Sequence, residues 1–178
     1  ILRKINFPKY IVVLSAMTSS LISLSINLVV VFIFALFTGV KFTAWVLLLP
    51  LNIAQLFILA FGIALFLSTL YVIFRDIGHI WEVVLQVLFY AMPVMYPITQ
   101  VANVKILGIE AQKIMMLNPI AQTIQDIRHN LISPSTVPTV WSIEGNVWIS
   151  LIPIALTAIA FIIGLTYFRK NSKKFAEI

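Results

Sequence analysis

Four stretches of this chain carry no charged residue and are long enough to cross a bilayer. They run over 10–40 between Lys9 and Lys41, 42–74 between Lys41 and Arg75, 83–104 between Glu82 and Lys105, and 145–168 between Glu144 and Arg169. Crossing about 30 Å of hydrocarbon takes roughly 20 helical residues, so each stretch reads as a span. The helical cores are predicted over 12–37, 45–70, 80–96 and 147–168. Pro50, Pro93 and Pro153 fall within or near these cores, where membrane helices accept proline if neighbours satisfy the freed carbonyls. Of the 178 residues, 61% are hydrophobic and 10% charged, against roughly 25% charged in an ordinary soluble domain. A soluble fold is excluded. The fold class predicted is an all-α polytopic membrane protein, one transmembrane domain over 1–178, with four transmembrane helices and an external segment over 97–146.

Four crossings place Arg3, Lys4, Lys9, Arg75, Arg169, Lys170, Lys173 and Lys174 on one side, in short segments. The other side holds Lys41, Lys105, Lys113 and Arg128 over a longer stretch. By the positive-inside rule the first side is cytoplasmic, so both ends of the chain are predicted there. The net charge of +6 is therefore read as topology, with no nucleic-acid partner. Trp45, Trp141 and Trp148 fall near outer span ends and Trp81 near an inner one, the headgroup level that indole rings prefer. With no Cys, disulfides and Cys-based metal or nucleophile chemistry are excluded. The chain starts at Ile1, and no short apolar stretch with a cleavage site follows Arg3 and Lys4, so it reads as a fragment rather than as a signal peptide.

The external segment is neither a span nor a polar linker. Asn118-Pro119 is a helix start, with Asn capping free N–H groups and Pro at the first helical position. The helix it opens has Ile120, Ile124, Ile127 and Leu131 on one face and Gln122, Gln125, Asp126 and His129 elsewhere, and Ser133-Pro134 ends it. Residues 111–117 form a second short helix. Two helices too short to span suggest a re-entrant or interfacial hairpin over an outer mouth, or a helix simply lying on the outer leaflet.

Several chemistries are missing. All Asp, Glu, Lys and Arg lie outside or at the borders of the predicted cores, whereas ion-coupled carriers place ionisable groups inside the membrane. No two glycines stand five apart, so there is no Walker-type phosphate loop. His79 and His129 are predicted on opposite sides and cannot share a metal. No Ser, His, Asp or Glu constellation for catalysis is visible; the chain is read as a non-enzyme with no cofactor or metal of its own.

Three features are candidates for function. Ser15, Ser19, Ser23 and Asn27 form a polar stripe on the first span, suited to helix packing or to lining a hydrated path. Tyr90, Pro93, Tyr96 and Pro97 close the third span irregularly, with phenol rings that serve either as an aromatic belt or as platforms for sugar rings. Arg75 and Asp76, beside Gly78, make a cytoplasmic turn that is either solvated or a docking contact.

In order along the chain stand Phe7-Pro8-Lys9, Phe74-Arg75-Asp76-Ile77, Pro93-Val94-Met95-Tyr96-Pro97 and Leu117-Asn118-Pro119. In this order and spacing the chain resembles the permease subunits of ABC-type polysaccharide exporters, which move O-antigen or teichoic-acid chains across the bacterial inner membrane. The resemblance implies a six-span subunit that forms a homodimer and binds a cytoplasmic ABC ATPase carrying ATP and Mg, with a lipid-linked glycan as substrate. It implies that Phe7, Pro8 and Lys9, in a coupling helix over 2–10, face the ATPase with Arg75 and Asp76, and that Asn118 and Pro119 belong to external gate helices over 105–135. The four cores would be family spans three to six, with two more expected upstream. Related permeases export drugs or smaller lipids, and a non-transporting membrane anchor or assembly subunit is a further alternative.

Overall fold

The computed structural model describes residues 10–40, 42–106, 108–132 and 135–171. Phe7, Pro8, Lys9 and Ser133-Pro134, singled out in the sequence, lie outside them. Helix α1 spans Tyr10–Phe37, α2 Leu49–Ile73 and α3 Ile77–Ala91; a short 3-10 turn over Ala44–Leu48 leads directly into α2. After α3 come a 3-10 turn at Ile98–Val101 and a two-residue antiparallel pair, β1 Lys105–Ile106 with β2 Ile109–Glu110. Four short helices and turns follow into the last long one: α4 Ala111–Met116, α5 Pro119–Leu131, α6 Val140–Glu144, α7 Val147–Ser150 and α8 Ile152–Asn171. Among the described residues the fold is almost wholly helical, with this small strand pair as its departure from an all-α chain.

Three helical segments, Tyr10–Phe37, Ala44–Ile73 and Val147–Asn171, are long and apolar enough to cross a membrane. The third predicted core is shorter than 80–96. Met92 turns extended (φ −101°, ψ 154°) and the helix stops at Ala91, because the residue before a proline is driven out of the helical region and Pro93 has no N–H to continue the ladder. At 1.5 Å per residue α3 is about 22 Å long.

Among the described elements the most extensive contact is between α2 and α8. Phe61 meets Phe161 and Phe66 meets Tyr167, with ring centroids 6.1 and 5.2 Å apart; both sequences advance together, so the helices are parallel. They touch backbone to backbone. A Cβ on Gly62 would stand 2.5 Å from Phe161 Cα, and one on Gly164 would stand 2.0 Å from the Gly62 carbonyl oxygen. Small residues at such crossings let helices gain dispersion contact where lipid offers no hydrophobic drive.

Since α2 and α8 point the same way, the chain between them returns the length of the bundle, and α3 is the one long helix in that stretch. The outer pieces have a small core of their own, Ile98, Met116 and Val140, fully buried and flanked by Val101, Met115 and Ile143. The left-handed Gly145 (φ 64°) ends α6, a conformation that glycine adopts without steric cost, and the Asn146 carboxamide caps α7 by accepting from the Trp148 N–H at 3.0 Å. The chain then enters α8.

Candidate functional site: a polar seam at one end of the bundle

Helix α5 starts as its sequence dictates: the Asn118 side chain accepts from the Ile120 N–H at 2.9 Å, with Pro119 in the first turn. Its orientation is the informative part. Gln122 and Gln125 are 2% and 3% exposed, while Ile120, Ile124 and Ile127 are only half-buried. The polar side therefore faces protein. α5 packs on the first turns of α2, on the 3-10 turn before it, and on α8. It is packed into the bundle.

Two hydrogen-bond systems fix it there. In the first, the Gln55 amide of α2 donates to Gln122 Oε1 at 2.6 Å, and the Gln122 amide donates onward to the Asp126 carboxylate. Burial pushes the Asp126 carboxyl up to about 6, against the opposite pull of Gln122 and His129. In the second, the Arg128 guanidinium donates to the carbonyls of Pro93 at 2.6 Å, of Tyr96 at 3.4 Å, and of Val94. Those carbonyls lack helical partners because Pro93 ended α3, so Arg128 replaces the missing helix bonds and ties the end of α3 to α5.

Between α2, α5 and α8 lies a cleft of about 360 Å³. Asn52, Gln55, Gln122, Asp126 and Asn130 line it, with Trp45 and Trp141. Trp45 lies edge-on to His129, centroids 5.9 Å apart, and His129 Nδ1 is 2.5 Å from the Val137 carbonyl oxygen. Two buried atoms of this cluster have no hydrogen-bond partner, Asn52 Nδ2 and Asp126 Oδ1.

The residues singled out in the sequence are distributed differently. Ser15, Ser19, Ser23 and Asn27 are exposed on the side of α1 away from α2, and Ser23 Oγ donates back to the Ser19 carbonyl at 3.2 Å. Met17, Leu21 and Leu24 face α2 instead. Tyr90 projects outward at 76% exposure. Tyr96 folds inward, its hydroxyl 3.9 Å from Met115 Sδ. Pro93 is buried and Pro97 exposed. The two phenols therefore do not form one platform. Arg75 and Asp76 are exposed in the turn between α2 and α3, at the opposite end of the bundle from α5. The sequence reading missed Asn52, Gln55 and Arg128 as site residues. Asn52 and Gln55 were legible as two amides three apart in an otherwise apolar span; no local signal pointed to the partners of Arg128. Among the described residues no group of three or more His, Cys, Asp or Glu could hold a metal ion.

Residues 2–132 match the family model described as ABC-2 type transporter. A comparison with curated proteins finds no match.

Proposed function

Because the chain belongs to the ABC-2 type transporter family of membrane domains, whose members are transport subunits, we propose that it is the permease subunit of an ATP-driven exporter of a lipid-linked polysaccharide, an O-antigen or teichoic acid, across the bacterial inner membrane. The observation that carries the reading is the polarity of the bundle. One end has the exposed Arg75-Asp76 turn and the Arg169-Lys170 helix end; the other is closed by re-entrant α5, aromatic residues and a polar cleft. A cytoplasmic ATPase would dock on the first end and a glycan would leave by the second.

Four crossings fit this arrangement. With α2 and α8 parallel, α3 and the irregular residues 92–97 would complete the return crossing, Arg128 holding its outer end. The exposed polar stripe of α1 (Ser15, Ser19, Ser23, Asn27) is then free to meet the path or a second permease copy. An ABC ATPase would supply the energy, with ATP and Mg bound there, by biasing a two-state change in the permease pair.

The test is co-expression of the full protein with a candidate cytoplasmic ABC ATPase from the same organism. Co-purification and stimulated ATP hydrolysis are expected, and Arg75→Glu is expected to lower that stimulation while leaving the protein in the membrane. No association, or no stimulation, overturns the permease reading. Deleting the gene should reduce surface glycan. Unchanged glycan together with new drug sensitivity would assign the cargo to a drug or smaller lipid instead.

A further inference from the structure

On either side of the turn between β1 and β2, charged and apolar residues alternate, as Val104-Lys105-Ile106 and Ile109-Glu110-Ala111. In a strand that period sends them to opposite faces. The pairing sets Lys105 opposite Glu110 and Ile106 opposite Ile109, and the Ala111 N–H donates to the Val104 carbonyl at 2.7 Å to close the base of the hairpin. The hairpin is therefore two-faced. Val104, Ile106 and Ile109 form one side and are 50%, 47% and 53% exposed; Lys105 and Glu110 form the other. Helix α4 packs on β2 and brings Lys113 Nζ to 3.7 Å from the Glu110 carboxylate. The Gln112 amide, donating at 2.9 Å, and then the two lysines hold the Glu110 carboxyl below its ordinary range. It stays ionised at neutral pH, so two lysines against one carboxylate leave one positive charge beside a half-bare apolar face.

That face meets water, a second copy or lipid. Water is the costly surrounding, because the sorted face then gains nothing from being apolar. A second copy needs more surface: three half-exposed aliphatic side chains offer on the order of 300 Å², against about 800 Å² per partner in a stable protein interface. A bilayer surface asks for neither large area nor shape fit. It takes apolar groups below its phosphates and ammonium groups among them. The neighbouring elements stand at that level. Helix α4 packs on α6 and α6 on α7, and α7 opens the candidate span Val147–Asn171 with Trp148 81% exposed, where an indole marks the headgroup depth. We propose that the β1–β2 hairpin is an interfacial anchor, its Val104, Ile106 and Ile109 face entering the phospholipid leaflet at this end of the bundle while Lys105 and Lys113 meet the phosphates. The inference needs only that the chain is a membrane protein, and it stands whatever the protein exports.

The chain has no Cys, so single nitroxide labels on Lys105→Cys, Ile106→Cys and Ile109→Cys read depth without background. The full protein is placed in nanodiscs of phosphatidylethanolamine and phosphatidylglycerol. Each label is then exposed to oxygen, which concentrates in hydrocarbon, and to a neutral nickel chelate, which stays in water. The labels on Ile106→Cys and Ile109→Cys are expected to collide several-fold more with oxygen than with the chelate, and the label on Lys105→Cys to show the reverse. Adding Lys105→Gln and Lys113→Gln leaves Glu110 as the one charge of the group, and should shift the Ile106→Cys label towards the chelate. Chelate collisions dominating at all three positions would place the face in water and overturn the anchor. So would low collision with both reagents at Ile106→Cys and Ile109→Cys, which means that protein covers the face, a second copy where the labels broaden each other's spectra. An unshifted label in the lysine variant overturns the role of the phosphates. The labels on Ile106→Cys and Ile109→Cys leave both lysines in place, so they decide the anchor even if the lysine variant unfolds.

Discussion

Arg128 is the residue on which the outer end of the molecule turns. Its donors go to the carbonyls of Pro93, Val94 and Tyr96, groups that no helix satisfies. Hydrogen bonds from a charged donor are worth about 1.5–3 kcal/mol each when their loss leaves a carbonyl bare. Arg128→Gln is therefore expected to lower stability by about 2 kcal/mol and to open residues 92–97 to protease. Thermal unfolding in detergent with mapping of the cleavage sites measures both; an unchanged melting point and cleavage pattern would show that the strap is dispensable. Asp126 makes a prediction of the opposite sign from most carboxylates. Its pKa is about 6 in the folded chain against 3.8 for the free side chain. The folded state thus holds the proton more tightly than the unfolded one between those values, and stability falls as pH rises from about 4 through about 6. The loss approaches about 3 kcal/mol. Asp126→Asn should flatten that slope, and melting curves across this pH range decide it; a slope that persists in the variant assigns it to another group.

Among the elements, α2 and α8 are joined by an absence of side chains. Gly62 and Gly164 oppose each other so closely that a methyl on either meets backbone, and backbone in a helix cannot step aside. Gly62→Ala and Gly164→Ala are each expected to destabilise by about 2 kcal/mol or more. Gly78→Ala, whose new methyl would meet only the Tyr71 ring at 3.5 Å, should be neutral or slightly stabilising. Thermal unfolding of the three variants separates them, and equal melting points would mean the crossing relaxes more easily than its geometry implies. Helix α5 is the element whose role depends most on its surroundings. Its isoleucine face looks like a core-facing stripe by periodicity, yet Gln122 and Gln125 are the buried side. Gln122 finds its partners there, Gln55 of α2 and Asp126.

At the scale of the whole molecule, the 15-residue α3 is shorter than the roughly 20 residues a crossing takes, so its sidedness is the decisive measurement. The parallel run of α2 and α8 requires a return between them, and Arg128 holds the end of α3 beside α5, which packs on the first turns of α2. The chain has no Cys, so single cysteines report sidedness without a background. His79→Cys, at the start of α3, is expected to react with a membrane-impermeant maleimide only from the cytoplasm. Lys105→Cys, beyond its end, should react only from outside. Labelling of both from one side would mean that α3 does not cross.

The sequence by itself determined the class of molecule. Charge-free runs of span length, separated by Lys and Arg, admit no soluble fold, and three of the four predicted cores recur in helices of that length. The cap at Asn118-Pro119 was legible for the same reason, because capping is settled by neighbours two residues apart. The end of the third helix was misplaced by a few residues, since the proline that stops it acts on the residue before it. What only the tertiary structure decided is which groups meet. Gln55 reaches Gln122 from 67 positions away, and Arg128 reaches Pro93 from 35. Both pairings follow from how α5 returns into the bundle, and no periodicity within either segment encodes that return. The polar stripe of α1 marks the same boundary. Its spacing was plain, but whether it faced α2 or the outside depended on Met17, Leu21 and Leu24 packing better against an apolar neighbour. Hydrophobic pattern is local and survives in one dimension; partner choice is a competition among surfaces and exists only in three.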